Sequence, residues 1–109
     1  MREYDQIWLN ELDAIIESEI SNPDFKLDDL VKVLTTSPAQ LYRRVVKLTG
    51  KSPRKYIRYK RLIKAKELLE RGVYPTVAEV ALEVGFLHTN YFSTVYEKEF
   101  GKRPSSYLK

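Results

Sequence analysis

Few residues in this chain have the type and spacing that catalysis needs. The 109 residues include one histidine, His88, and no cysteine, which excludes disulfides and thiolate metal sites. His88 lies at a predicted helix start without a carboxylate at ligand spacing, which is more typical of a helix cap or phosphate contact. The glycines all fall at predicted helix ends, so no phosphate-binding glycine loop is present. Because the acidic residues are scattered, the sequence predicts no enzyme activity, no metal and no cofactor.

The basic residues are the most distinctive set. The net charge of +4 hides an asymmetry, since residues 1–29 hold two basic and nine acidic residues (−7) and residues 30–109 hold 17 basic and six acidic residues (+11). A basic body predicts a polyanion partner, and the alternative is a solvated surface of uneven charge. No stretch approaches the roughly 18–20 apolar residues of a membrane span, and no signal-peptide pattern begins the chain. We therefore expect a cytoplasmic chain without membrane contact.

Many basic residues lie on one long predicted helix, residues 53–71. Ser52 suits its N-cap, Pro53 its first position and Gly72 its end. Apolar residues in every turn predict burial on more than one side. The cations between them predict a positive exposed edge: Lys51, Arg54, Lys55, Arg58, Lys60, Arg61, Lys64 and Lys66. We expect this helix to join two small helical units.

The two segments that flank this helix repeat one another. Residues 50–57 match residues 101–108 at an offset of 51, and the apolar positions of residues 27–34 match those of residues 77–84 at an offset of 50. Each copy predicts a short helix, a tight turn and a second helix with a polar outer face, which is a helix-turn-helix. Ala81 permits close helix approach and Gly85 suits a left-handed turn. The alternative is two generic helical hairpins in a bundle.

Hydrophobic periodicity and capping residues set the remaining elements. The predicted helices cover residues 5–20, 27–34, 38–48, 77–84 and 89–100, with a last turn over residues 104–108. With the central helix, the prediction is an all-α chain of seven helices.

Motifs on these elements resemble the DNA-binding domain of the AraC/XylS family of bacterial transcription regulators. The motifs are Leu41-Tyr42-Arg43-Arg44, residues 48–53 and 56–58, Arg61-Leu62, Val80-Ala81, Gly85-Phe86, Tyr91-Phe92-Ser93 and residues 100–104. The resemblance implies one domain over residues 1–109, with helix-turn-helix subdomains at 5–50 and 76–108 in a homeodomain-like tandem and a connecting helix at 53–71. It implies sequence-specific binding of double-stranded DNA by two recognition helices in successive major grooves.

The resemblance also assigns DNA contacts residue by residue. The base-facing positions are Ala39, Tyr42 and Arg43, with Gln40 nearby, and then Thr89, Asn90 and Thr94. Beyond these assigned positions, we predict contacts with the DNA backbone at Ser37, Arg44, Lys47, Lys51, Arg54, His88 and Lys98. Arg43 suits a bidentate contact with guanine and Asn90 one with adenine. The alternatives are a phosphate or surface role for Arg43 and helix capping for Asn90.

Three positions depart from the family pattern. Thr94 stands where arginine or lysine is usual, so we expect the second recognition helix to read bases weakly or to contact only the backbone. Val31 replaces the alanine that is common in the first helix-turn-helix, which would alter the angle between the two helices of that unit. His88 replaces the usual Asp or Ser cap.

Partners and alternative functions follow from the same residues. The motif style of residues 41–58 is similar to output domains of hybrid two-component regulators, which implies an upstream sensory or dimerisation domain in a longer protein. RNA polymerase is a further candidate partner. One alternative is a docking module for an acidic protein with only non-specific DNA contact. Phosphorelay through His88 is disfavoured, because His88 does not lie mid-helix on an acidic face.

One aromatic set also allows two interpretations. Tyr91, Phe92, Tyr96 and Phe100 could stack on the bases of a single strand. Their helical spacing favours a place in the core instead.

Overall fold

The described residues, 1–108 of a computed structural model, form helices and no strands. The elements are α1 (Glu3–Ser18), α2 (Leu27–Val33), α3 (Pro38–Thr49), α4 (Pro53–Arg71), α5 (Val77–Glu83), α6 (Thr89–Phe100) and a 3-10 helix (Pro104–Tyr107). The all-α class is confirmed. The expected seventh helix is only a four-residue 3-10 turn with i to i+3 hydrogen bonds, the first of them from the Ser106 N–H to the Arg103 carbonyl oxygen (3.0 Å). None of the helices described is both long and apolar enough to cross a membrane.

Capping residues place the helix starts. The Ser37 hydroxyl oxygen accepts from the Gln40 N–H at 3.2 Å, at the N-cap of α3. Thr76 and Glu79 form the expected capping box, with reciprocal backbone hydrogen bonds of 3.2 Å. Because each cap satisfies backbone donors that the first turn leaves unpaired, the starts of α3 and α5 follow directly from the sequence.

The helices divide into two compact units, and the division falls inside α4. Unit 1 comprises Met1–Glu19 and Asp24–Lys60, and unit 2 comprises Ile20–Pro23 with Arg61 and the residues after it. The core of unit 1 includes Leu12, Ile16, Phe25, Leu30, Leu41, Val45, Tyr56 and Ile57. The core of unit 2 includes Leu62, Ala65, Leu68, Leu69, Val80, Ala81, Val84, Phe86, Phe92 and Tyr96. Each unit therefore contains one helix-turn-helix, buried apolar residues and its own part of α4.

The two helix-turn-helix turns have the same backbone pattern. In unit 2, Gly85 has φ +86° and the Phe86 N–H donates to the Ala81 carbonyl oxygen at 2.8 Å. In unit 1, Thr35 has φ +51° and the Thr36 N–H donates to the Val31 carbonyl oxygen at 3.2 Å. The left-handed glycine is confirmed, and the first copy makes the same turn with a β-branched residue, for which this region is unfavourable.

The burial of Arg61 contradicts the sequence-based prediction. Its side chain was expected on the exposed edge of α4, yet Arg61 is only 6 % exposed. The guanidinium donates to the backbone carbonyl oxygens of Ile20, of Val84 (2.8 Å) and of Asn22 (2.9 Å). Burial lowers the pKa of Arg61, and the carbonyl oxygens replace the water that the cation loses. Arg61 thus ties the turn of unit 2 to the segment after α1.

Candidate nucleic-acid interface

The α3 helix of unit 1 presents a polar face opposite its buried side. Leu41 and Val45 are buried, whereas the four positions on this helix that were predicted to lie at or near the bases are exposed: Ala39, Gln40, Tyr42 and Arg43. Residues three and four positions apart share one side of a helix. Ala39, Tyr42 and Arg43 therefore form one continuous stripe.

Arg43 and Arg44 are neighbours in very different surroundings. The Arg43 guanidinium has no hydrogen-bond or ion-pair partner among residues 1–108, so its donors are available to a ligand. The Arg44 guanidinium stacks on the Trp8 ring at 4.3 Å and lies 3.6 Å from the Asp5 carboxylate. A phosphate contact by Arg44 would have to compete with these two groups on α1.

Gln40 is partly engaged within unit 1. Its side-chain oxygen accepts a hydrogen bond from the Thr36 hydroxyl at 3.1 Å. This bond leaves the amide N–H₂ group of Gln40 free to donate from the exposed face of α3.

The α6 helix of unit 2 has the same plan with weaker donors. Phe92 and Tyr96 are fully buried, while Asn90 and Thr94 are exposed and Thr89 is half-buried. The Thr94 hydroxyl donates to the Asn90 backbone carbonyl oxygen at 3.0 Å, so its only proton is used inside the helix. His88 occupies the N-cap position without a side-chain capping hydrogen bond. The His88 side chain therefore does not cap α6.

The other positions predicted to contact the DNA backbone differ in how available their side chains are. Lys47, Arg54 and Lys98 are exposed, while the Lys51 ammonium lies 4.6 Å from the centre of the Tyr59 ring. The Ser37 hydroxyl already serves as the cap of α3. Lys47, Arg54 and Lys98 are thus the cations most available to a ligand.

The aromatic residues of α6 belong mainly to the core. Tyr96 contacts Phe92, Phe100 and Tyr107 through its ring, and its hydroxyl donates to the Tyr107 hydroxyl at 3.0 Å. Burial, followed by this hydrogen bond, raises the pKa of Tyr96 above its ordinary value. Tyr91 is the exception, since it is 49 % exposed.

Two charged residues near α6 were not among the predicted contacts. Glu97 and Arg103 line a groove of about 320 Å³ together with Asn90, Ser93 and Thr94, and the Arg103 Nε–H donates to the Glu97 carboxylate at 3.1 Å. The internal repeat could have indicated that Arg103 has a different role, because Arg103 occupies the position that matches the helix-capping Ser52. An arginine cannot replace a serine as a cap.

Two helix-turn-helix units, each with an exposed polar second helix, define a DNA-binding domain of a transcription regulator. The chain belongs to the AraC/XylS family of such regulators: a family model described as a helix-turn-helix domain matches residues 30–109. The transcriptional activator RhaS of Enterobacter sp. (strain 638) is 33 % identical over 96 residues, which cover 88 % of this chain and 34 % of that protein. The chain thus spans about a third of the length of this relative.

Solved structures show the same fold. The C-terminal domain of the two-component response regulator yesN from Fusobacterium nucleatum is 32 % identical with a TM-score of 0.79, over 93 % of this chain and 98 % of that one. The DNA-binding domain of AdpA, solved in complex with a target DNA, is 27 % identical with a TM-score of 0.81, over 91 % and 87 % of the two chains.

Proposed function

We propose that this domain binds specific sequences of duplex DNA through the exposed faces of α3 and α6, each in a major groove. The observation that carries this proposal is Arg43, an exposed and unpaired arginine on the polar face of α3 in a chain of this family. Arginine can donate two parallel hydrogen bonds to guanine O6 and N7, which contributes about 1–3 kcal/mol of discrimination between bases.

The two recognition helices would contribute unequally. Tyr42 and Gln40 stand beside Arg43 on α3, so unit 1 has a charged donor, an aromatic ring and an amide on one face. On α6, Asn90 is the best base reader, because the Thr94 proton is already donated within the helix. Unit 1 would therefore supply most of the sequence preference.

Cations around both helices would bind phosphate groups. Lys47, Arg54 and Lys98 are the most available cations, and Lys51 and Arg44 are the others. His88 and Ser37 complete the proposed set of backbone contacts. Such contacts release counterions from DNA and make binding salt-dependent. If about six phosphates are neutralised, log K should fall with log salt at a slope near about −5, at about −0.9 for each contact.

The larger protein would use this domain as its output module. The similarity to a response regulator's C-terminal domain supports an upstream sensory or dimerisation domain, and RNA polymerase is a proposed protein partner. Work on chromosomal DNA would place the protein in the cytoplasm.

The test is a binding assay on a duplex selected from a random pool, compared with a random duplex. Arg43→Ala should weaken binding to the selected duplex and relax preference at one base pair, since a bidentate contact is lost. Thr94→Ala is the matched substitution on α6 and should change little. A salt slope shallower than about −2, or a larger loss of preference from Thr94→Ala, would contradict this assignment.

A further inference from the structure

We propose that Arg103 is a DNA-backbone contact of unit 2 and that Glu97 positions its guanidinium for a phosphate group. Neither residue belongs to the DNA-contacting positions that the family resemblance assigns. The inference rests on the proposed function, because it requires the polar face of α6 to lie in a DNA groove.

The backbone of Arg103 is fixed from both sides. On one side Gly101 ends α6 in the left-handed region at φ +72°. On the other side Pro104 is buried and opens the 3-10 helix. The Arg103 carbonyl oxygen accepts from the Ser106 N–H at 3.0 Å and from the Ser106 hydroxyl at 2.6 Å. The side chain of Arg103 therefore leaves the main chain from a defined point.

The guanidinium of Arg103 is held by one hydrogen bond, which leaves most of its N–H donors free. Only the Nε–H is used, in the 3.1 Å hydrogen bond to Glu97, so the four N–H groups on the two Nη atoms remain. The Arg103 side chain is 74 % exposed, which allows a ligand to reach it. A guanidinium can bind a phosphate with two parallel hydrogen bonds. Because an exposed ion pair contributes little to stability, the main effect of Glu97 is orientation.

The position of the pair along α6 favours a phosphate over a base. Asn90, Thr94 and Glu97 follow one another at helical spacing, and all three line the same groove as Arg103. Base contacts come mainly from the N-terminal residues of a recognition helix. Glu97 lies in the third turn and Arg103 beyond the helix end, where the flanking DNA strand would pass.

The internal repeat shows that Arg103 has no capping role. In unit 1 the matching residue, Ser52, accepts a hydrogen bond from the Lys55 N–H at 3.3 Å and caps α4. Arg103 makes no side-chain capping hydrogen bond to the 3-10 helix. The exchange of serine for arginine thus removes a cap and adds a cation at the edge of the proposed interface.

The sign of one substitution tests the role of Glu97. A carboxylate near DNA repels phosphates, so a residue that acts only through its charge should lower affinity, and its removal should tighten binding. A positioning residue gives the opposite result, because without it the guanidinium of Arg103 loses its orientation. The charge effect should reappear once Arg103 is absent.

The experiment measures affinity for a selected duplex and a random duplex at several salt concentrations. Arg103→Ala should weaken binding to both duplexes to a similar extent and make the salt slope shallower by about one. Glu97→Ala should weaken binding about two- to threefold in the native background and tighten it in the Arg103→Ala background, as expected of coupled residues. Circular dichroism spectra should match in all variants, since both side chains are exposed.

The chain offers a matched control pair on the exposed end of α4. The Arg71 guanidinium lies 3.6 Å from the Glu67 carboxylate, and neither residue lines the groove. Arg71→Ala and Glu67→Ala should leave affinity and salt slope near those of the native chain. The inference fails if Arg103→Ala behaves like Arg71→Ala, if it weakens only the selected duplex, or if Glu97→Ala tightens binding equally in both backgrounds.

The Arg43→Ala and Arg103→Ala variants test the proposed function and the role of Arg103 separately. If Arg43→Ala weakens binding while Arg103→Ala does not, specific DNA binding stands and only the role of Arg103 is wrong. A native chain with a slope shallower than about −2 would overturn both.

Discussion

At the scale of single residues, Gly85 and Arg61 together fix the turn of unit 2. Gly85 adopts a left-handed backbone conformation, and the neighbouring atoms also leave no room for a side chain there. A Cβ atom on Gly85 would overlap the Arg61 Nη1 atom and lie 2.6 Å from the Ile20 carbonyl oxygen. The left-handed turn that the sequence predicted for Gly85 therefore explains only part of the need for glycine at this position.

Gly85→Ala should destabilise unit 2 by about 3 kcal/mol or more, since displacement of Arg61 would leave a buried charge without its partners. Gly72→Ala is the matched control. Gly72 also has positive φ, but no atom lies within 4 Å of its added Cβ, so only the backbone penalty of about 1–2 kcal/mol applies. Urea denaturation followed by circular dichroism measures both.

Trp8, the single tryptophan, lies in unit 1 and reports that unit separately. In Gly85→Ala the Trp8 fluorescence transition should stay near its native midpoint while unit 2 unfolds earlier. Equal losses of stability in the two glycine variants would show that the Arg61 side chain can move aside at little cost in free energy.

Tyr56 should make unit 1 sensitive to alkaline pH. Its hydroxyl donates to the Asp13 carboxylate at 2.6 Å, and burial, followed by this hydrogen bond, raises the pKa of Tyr56 above its ordinary value of 10.0. Because the folded state holds this proton more tightly than the unfolded state, the stabilisation is fully present below about pH 10 and is lost as pH rises further.

Tyr56→Phe should lower the free energy of unfolding at pH 7 by about 1.5–3 kcal/mol, as expected for a hydrogen bond to a charged group. The same variant should lose less stability than the native chain between pH 9 and about pH 11. Trp8 fluorescence during urea unfolding measures both effects in unit 1. An unchanged alkaline slope would show that Tyr56 titrates normally in the folded chain.

At the scale of elements, the unit 1 turn carries strain that the unit 2 turn avoids. Thr35 and Gly85 are equivalent in the repeat, and both have positive φ. A non-glycine residue in a sparsely populated region costs about 1–3 kcal/mol. Thr35→Gly should therefore raise the free energy of unfolding of unit 1 by about 1 kcal/mol, after the entropic cost of a glycine in the unfolded chain.

Urea unfolding followed by Trp8 fluorescence tests this substitution directly. Thr36→Gly provides the control, because the neighbouring position does not share the positive φ and should lose stability. A destabilised Thr35→Gly variant would mean that the threonine side chain contributes more than the strain removes.

Helix positions followed from the sequence because their causes are local. α4 and α6 have the predicted bounds, and the connection of residues 84–88 is one residue longer than that of residues 34–37, as the two offsets implied. Caps, helix-ending glycines and apolar spacing lie within a few residues of the boundaries that they determine. The all-α plan needed no knowledge of distant contacts.

The side-chain contacts that shape the interface could not be predicted in this way. Arg61 meets Asn22 across 39 residues of sequence, and Arg44 meets Trp8 across 36. Periodicity indicates which side of a helix a residue occupies, but it does not indicate whether a long side chain turns back to protein groups. The availability of each arginine to DNA therefore required the structure.

At the scale of the whole molecule, α4 belongs to both units. It has 19 residues and no proline or glycine after Pro53, so it is about 28 Å long at about 1.5 Å per residue. Successive major grooves on one face of DNA lie about 34 Å apart, or about 10–10.5 base pairs. We expect one copy of the domain to read two tandem half-elements without a palindrome.

The two recognition helices are not expected to engage straight DNA equally. Bending a site of this size costs on the order of 1–6 kcal/mol, which is comparable with one or two good base contacts. Because the Thr94 hydroxyl is already used inside α6, unit 2 has the weaker means of offsetting that cost. Unit 1 should therefore hold its half-element even when unit 2 does not.

Footprinting on a duplex with five base pairs inserted between the half-elements tests this expectation. The insertion is about half a helical turn, so it moves the second half-element to the opposite face of the DNA. Protection of the second half-element should disappear while the first remains protected. A ten-base-pair insertion is the control that restores the face while it lengthens the spacing, and it should also lose the second footprint if α4 fixes the distance. Full protection of both half-elements in both duplexes would show that the units are flexibly tethered.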